Sequence, residues 1–148
     1  MSTPTSGRVR PAMSLDTQFF WDAAARGELR IQRCQSCGRL RHPPGPTCSH
    51  CLSFEWDTVA MSGRGTLYSY LVLHHPLPPG FDAPAVVGVI ELEEGPRIIS
   101  NVAGVDPATL RIGEPLEVLF VPQEEGWTAP QFSRPAVHDG GGSSRTRL

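Results

Sequence analysis

Cys34-Gln35-Ser36-Cys37-Gly38 and, after a gap of ten residues from Cys37, Cys48-Ser49-His50-Cys51 contain every cysteine of this chain. A two-residue gap lets both sulfurs of one Cys-x-x-Cys knuckle reach the same tetrahedral ion, and a second knuckle completes a shell of four thiolates. Such a shell leaves no open position for water or substrate. The pattern therefore predicts a structural zinc site with Cys34, Cys37, Cys48 and Cys51 as ligands, not a catalytic metal. His42 and His50 are spare donors in the same segment, so a Cys₃His shell is the alternative. A disulfide framework or a thioredoxin-like redox pair explains two knuckles at this spacing less well than zinc does.

Four thiolates on one dication leave a formal charge of −2. Arg33, Arg39 and Arg41 flank the knuckles and would partly offset it. Gly38 follows the first cysteine pair, where a tight turn around bound sulfur needs a positive φ. His42-Pro43-Pro44-Gly45-Pro46 reads as a stiff, extended strap to the second knuckle. The ribbon is predicted over residues 29–55, with a short strand at Leu29–Gln32.

Upstream, residues 1–13 read as a flexible lead of Ser, Thr, Pro and two Arg. Residues 14–28 form a predicted helix segment. Asp16 is the candidate N-cap, Phe19, Phe20, Ala23 and Ala24 recur at helical spacing, and Gly27 suits the C′ position. Downstream the texture becomes β. Strands are predicted at Gly65–Leu73, Ala85–Glu93, Arg97–Val102 and Leu116–Val121, with a Pro-rich loop at Pro76–Pro84 and a helical turn at Asp106–Leu110. Short strands with frequent turns over residues 56–132 suit a small five-stranded OB-type barrel. Residues 133–148, with Gly140-Gly141-Gly142-Ser143-Ser144, read as a disordered tail.

The composition fits a loop-rich or mainly β domain: 15 Gly and 15 Pro stand among 148 residues. Net charge is −2, and all thirteen basic residues are Arg. Met1–Tyr70 carries eight Arg against five acids, whereas Asp82–Glu125 carries nine acids against two Arg. No apolar run approaches the roughly 18 residues that span a membrane. The N-terminal residues lack a secretory apolar core. A cytoplasmic, reducing compartment is the expectation.

Two further features carry candidate roles. The stretch Arg26, Arg30, Arg33, Arg39 and Arg41 is either a solvated face that compensates the zinc thiolates or an anion site, since Arg pairs bidentately with phosphate. Phe19-Phe20-Trp21 cannot all face one core, because successive helical side chains diverge by about 100°. These aromatics either wedge the helix between ribbon and barrel or offer a partner-binding surface. His74-His75 have no nucleophile motif beside them, and there is no paired carboxylate, phosphate loop or His-Glu-x-x-His. An enzyme built on His74, His75 or Asp82 is the weaker reading of the residues.

Phe20-Trp21 ahead of the knuckles, Pro43-Pro44 between them and Gly-x-Gly-x-x-Tyr-Ser over Gly63–Ser69 together resemble a known family. It is the acyl-CoA-associated zinc-ribbon/OB-fold family, domain-of-unknown-function family thirty-five, whose ribbon is rubredoxin-like. The resemblance covers residues 15–132. Leu29–Cys34 and Gly38–Pro44 look closest to the actinobacterial branch, found as the C-terminal domain of a MaoC-like hydratase subunit in steroid (cholesterol) side-chain breakdown. The resemblance implies a non-catalytic accessory subunit that binds a thiolase-like lipid-transfer-protein aldolase and helps hold or channel an acyl-CoA. It implies Zn²⁺ as a structural cofactor, a MaoC-like hydratase as a further associate and no membrane. On that reading Arg33, Arg39 and Arg41 are the acyl-CoA or anion-binding candidates, and Phe19, Phe20 and Trp21 the partner-interface candidates. A single-stranded nucleic-acid-binding zinc-ribbon/OB protein is the alternative, opposed by the acidic barrel half.

Overall fold

The computed structural model describes residues 7–136. One helix, α1 (Gln18–Ala25), precedes a three-stranded sheet of β1 (Arg30–Cys34), β2 (Leu40–Arg41) and β3 (Trp56–Ala60), in the order β2-β1-β3. A closed barrel follows, built from β4 (Arg64–Leu73), β5 (Ala85–Leu92), β6 (Arg97–Val102), β7 (Pro115–Pro122) and β8 (Thr128–Ser133), in the order β4-β5-β6-β8-β7. The architecture is mainly β, with a short N-terminal helix, a ribbon and a five-stranded OB-type barrel, as the sequence predicts.

The helix is shorter than the expected segment. Asp16 is not its cap: Thr17 holds that position without a side-chain cap bond. The entry is fixed instead by Ser14, whose carbonyl accepts from Gln18 N–H at 2.9 Å and whose N–H donates to Thr17 Oγ1 at 2.9 Å. The exit follows the expectation. Gly27 adopts φ 76°, and the N–H groups of Gly27 and Glu28 bond back to Ala24 and Ala23, the paired closure that a positive-φ residue at C′ permits.

β1 is the spine of the ribbon. It pairs antiparallel with β3 over five residues, from Arg30↔Ala60 to Cys34↔Trp56, and with β2 at Gln32↔Arg41 and Arg33↔Leu40. Trp56–Ala60, within the segment expected to open the barrel, therefore completes the ribbon sheet.

In the barrel, β5 shows the period of two that a half-buried strand requires: Val86, Gly88, Ile90 and Leu92 point inward between half-buried Val87, Val89 and Glu91. Leu67, Ile98, Val102, Leu116 and Phe132 fill the same core, which continues without a break into Phe20, Leu29, Ile31 and Met61. β4 carries a bulge at Tyr68, between Leu67 and Ser69, which increases the local bend and twist needed for closure.

β8 was not among the strands read from sequence. Pro130 at its centre cannot donate to a ladder. Towards β6 the strand meets only Val102↔Phe132 in register. Side chains complete the seam: Ser100 Oγ donates to the Pro130 carbonyl and Asn101 Nδ2 to Gln131 Oε1, each at 2.9 Å. The predicted tail begins too early, since Ser133 ends β8 and Arg134 pairs with Glu114 at 2.6 Å; residues 137–148 and 1–6 lie outside the described part. In the predicted lead, Arg8 N–H donates to Gln123 Oε1 at 3.2 Å and its guanidinium lies 4.1 Å from the Phe81 ring centre. No helix among the described residues is long and apolar enough to cross a membrane.

Candidate metal centre and its surroundings

The two knuckles have the same backbone design. Cys34 N–H donates to Arg39 O and Gly38 N–H to Cys34 O; Cys48 N–H donates to Ser53 O and Leu52 N–H to Cys48 O, all at 2.9 Å. Gly38 and Leu52 occupy the same position in the two turns, with φ of 77° and 64°. Ser36 Oγ donates to Ser53 Oγ at 2.9 Å and ties one turn to the other.

These turns bring the four sulfurs within 4.8 Å of one another. Cys34 and Cys51 are 3.5 Å apart, and Cys37 and Cys48 3.6 Å. Those separations far exceed the roughly 2.05 Å of a disulfide. They approach the about 3.8 Å edge of a tetrahedron whose sulfurs lie about 2.3 Å from a central ion. The backbone N–H groups of Cys37 and Ser36 favour the Cys34 thiolate, lowering its pKa. Those of Cys51 and His50 do the same for Cys48, bringing it to about 6. The Ser53 N–H also favours the Cys51 thiolate, but sharing its proton with the neighbouring sulfurs, together with burial, holds that thiol up at about 11; a dication would take the place of that proton, so the residues fit the ion. Cys34 and Cys48 are buried, while Cys37 and Cys51 are exposed.

Neither histidine joins the shell. His50 is exposed. His42 packs on Phe20, 5.5 Å between ring centres, and burial lowers its pKa to about 4. A Cys₃His site therefore has no support from the geometry.

The arginines separate into distinct roles. Arg33 grips Asp57 with two bonds of 2.9 and 2.6 Å, and that pairing draws the Asp57 carboxyl below its usual range. Arg30 donates to Thr58 Oγ1 and the Thr58 carbonyl. Arg41 is turned inward: Nε donates to Gln32 Oε1 at 2.9 Å and Nη2 to Gly45 O at 3.0 Å. Arg39 is exposed and, among the described residues, its side chain makes no hydrogen bond or ion pair. The three candidates thus do not converge as an open triad; two of them brace the ribbon.

The aromatics span the junction between modules. Phe19 meets Trp56 of β3 at 5.4 Å, Phe20 meets Trp21 edge-on at 5.0 Å, and Trp21 meets Trp127 edge-on at 5.5 Å. Phe20 is buried; Phe19 and Trp21 keep part of their surface free. Trp21 also divides two clefts of about 270 Å³ each. One lies beneath Pro43 and Pro44 beside His42, the other beside Phe81, Asn101 and Trp127. Sequence reasoning missed Gln32, Trp56 and Trp127, which carry no motif and acquire roles only through pairing.

His74 and His75 lie between the end of β4 and the Pro-rich loop and are exposed, as is Asp82 within that loop. None is paired with a nucleophile among the described residues.

A four-cysteine ribbon joined through an aromatic helix to a small closed barrel defines the class of zinc-ribbon/OB-fold proteins. Family models agree: the rubredoxin-like zinc ribbon domain of ChsH2 matches residues 21–57, and the C-terminal OB-fold domain of ChsH2 matches residues 58–121. The chain belongs to the DUF35/ChsH2 family. A solved structure described as an Ltp2-ChsH2(DUF35) aldolase is 46% identical, with a TM-score of 0.80, covering 84% of this chain and 98% of that one. A probable enoyl-CoA hydratase alpha subunit of Thermomonospora curvata is 47% identical over 134 residues, which is 90% of this chain and 42% of that protein. A 3-oxo-4,17-pregnadiene-20-carboxyl-CoA hydratase alpha subunit of Mycobacterium tuberculosis is 44% identical over 113 residues, 76% of this chain and 36% of that protein. The chain thus spans less than half the length of these two relatives.

Proposed function

We propose that this chain is a non-catalytic accessory subunit that binds a thiolase-like aldolase subunit and helps hold or channel an acyl-CoA for retro-aldol cleavage in steroid side-chain degradation. One observation carries the reading: likeness to the ChsH2 component of an Ltp2-ChsH2 aldolase over 98% of that chain's length. The steroid substrate rests on the name of the M. tuberculosis relative.

The chemistry of the site supports it. A four-thiolate ion has every position filled by protein, so it can neither activate water nor polarise a carbonyl. Its part is to hold the ribbon. The clefts beside Trp21, at about 270 Å³ each, fall below the roughly 300–1,000 Å³ that enclose a drug-sized ligand. An acyl-CoA is larger still, so it would have to be held jointly with a partner. The partner supplies the base that takes the hydroxyl proton and the acid that protonates the enolate released when the carbon–carbon bond breaks. Single-stranded nucleic acid gains nothing from the structure, because Arg33 and Arg41 are engaged within the chain.

The test is reconstitution. The thiolase-like subunit should co-elute with this chain, and its cleavage of a hydroxylated steroid acyl-CoA should fall at least about tenfold, roughly 1.4 kcal/mol in the barrier, when this chain is withheld. Full activity of the partner alone, or cleavage by this chain alone, would sink the proposal.

A further inference from the structure

The geometry points to the tip of the second knuckle, Leu52 with Phe54, as the anchor by which this chain docks onto its thiolase-like partner. This rests on the accessory-subunit reading above.

Leu52 violates two rules of folding at once. It holds φ 64°, a left-handed conformation that suits glycine and strains a leucine. The matching residue of the first knuckle is Gly38, at φ 77° with the same hydrogen bond to the first cysteine of its pair. The fold thus has a glycine solution for this turn and uses it once. Nor does the leucine recover the strain by packing, since 69% of its surface is free. Two residues on, Phe54 is 75% free. Neither side chain lines either cleft beside Trp21. A residue that breaks a local rule without a compensating contact marks function rather than stability.

Side chains this exposed stand out from the surface, so the complementary cavity belongs to the partner. Large aromatic and aliphatic anchors seated in a pocket are the usual centre of a protein interface. The surrounding charge narrows the match. Cys37 and Cys51 are the two exposed ligands, and four thiolates on a dication leave a formal charge of −2 that exposed Arg39 offsets only in part. The receiving surface is therefore an apolar socket with N–H donors rather than carboxylates at its rim. An acyl-CoA, anionic itself, is a poor match for this tip; a protein surface is a good one.

Binding of the zinc-loaded full chain to the purified Ltp2-type aldolase subunit of its host, measured by calorimetry, tests the assignment with Leu52→Asn and Phe54→Ser. Asn tolerates the left-handed conformation, so zinc per chain and the thermal midpoint should be unchanged or improved. The dissociation constant should rise about 30-fold or more for each variant, the scale of an interface anchor. Variants that bind as tightly as wild type overturn the docking site and leave the accessory reading standing. Loss of zinc or early melting makes Leu52 a structural residue and also overturns it. Failure of the wild type to bind removes the accessory reading and this inference together.

Discussion

Gln32 and Gly45 exchange two hydrogen bonds: Gly45 N–H donates to Gln32 Oε1, and Gln32 Nε2 donates to Gly45 O, both at 2.9 Å. Gln32 is fully buried, and Arg41 donates to the same two acceptors. One side-chain amide thus pins the proline strap to the central ribbon strand. Gln32→Leu keeps the volume but strands Gly45 N–H and Arg41 Nε–H, while Arg41 Nη2 keeps the Gly45 carbonyl. It should cost about 2–4 kcal/mol, from roughly 1–3 kcal/mol per buried group left unpaired. Urea denaturation of the zinc-loaded protein measures it.

Zinc content is the next check. Cys37→Ser removes one of four thiolates, and zinc per chain should fall from about one to near zero by elemental analysis, because a structural site binds through its full ligand set. The same loss should follow a strong chelator. Retention of both zinc and partner binding in Cys37→Ser would falsify the structural assignment.

His42 makes stability depend on pH. Burial holds its pKa at about 4, below the ordinary 6.5. Between those values the unfolded chain takes up a proton that the folded chain refuses, so stability falls as pH drops through the window. At pH 5.5 the loss is about 1 kcal/mol. His42→Phe keeps a ring against Phe20 and removes the titration. Its stability should fall less than that of wild type between pH 7.5 and 5.5.

Trp21 and Trp127 couple helix to barrel through their edge-on contact. Trp127 is buried, so Trp127→Ala should cost about 3–5 kcal/mol. A double-mutant cycle with Trp21→Ala should return a coupling of about 0.5–1.5 kcal/mol. A coupling indistinguishable from zero would mean that the helix docks by other contacts.

Gly65 lies where β4 passes close to β5. A Cβ there would overlap the Glu91 carbonyl oxygen and press within 2.8 Å of Ile90 Cγ2. Backbone cannot give way as a flexible side chain does, so Gly65→Ala should cost about 1–3 kcal/mol as an overpacking change. Gly95→Ala, in open space at φ 112°, is the control for backbone strain alone.

Much of the fold was legible because it obeys short-range rules. Four cysteines at knuckle spacing, a glycine after a helix and the Thr, Tyr and Val enrichment of β4 each leave a local signature. β8 left none, since Pro130 interrupts its strand pattern and its seam depends on Ser100 and Asn101 from another strand. The helix start failed for a related reason: Asp16 is a good capping residue by type, but Ser14 and Thr17 bond to each other and set the entry.

The sequence by itself determined which four cysteines could hold zinc and the order of helix, ribbon and barrel, because ligand spacing and strand-forming composition are written along the chain, and the motifs Phe20-Trp21, Pro43-Pro44 and Gly63–Ser69 carried the resemblance to the family. Only the tertiary structure decided what the flanking residues do. Arg33 and Arg41, alike in sequence to Arg39, are consumed by Asp57 and by the Gln32–Gly45 pair, because folding brings those partners within bonding distance. Leu52, unremarked in sequence, becomes conspicuous because the knuckle turn forces a left-handed backbone on it and leaves its side chain in solvent.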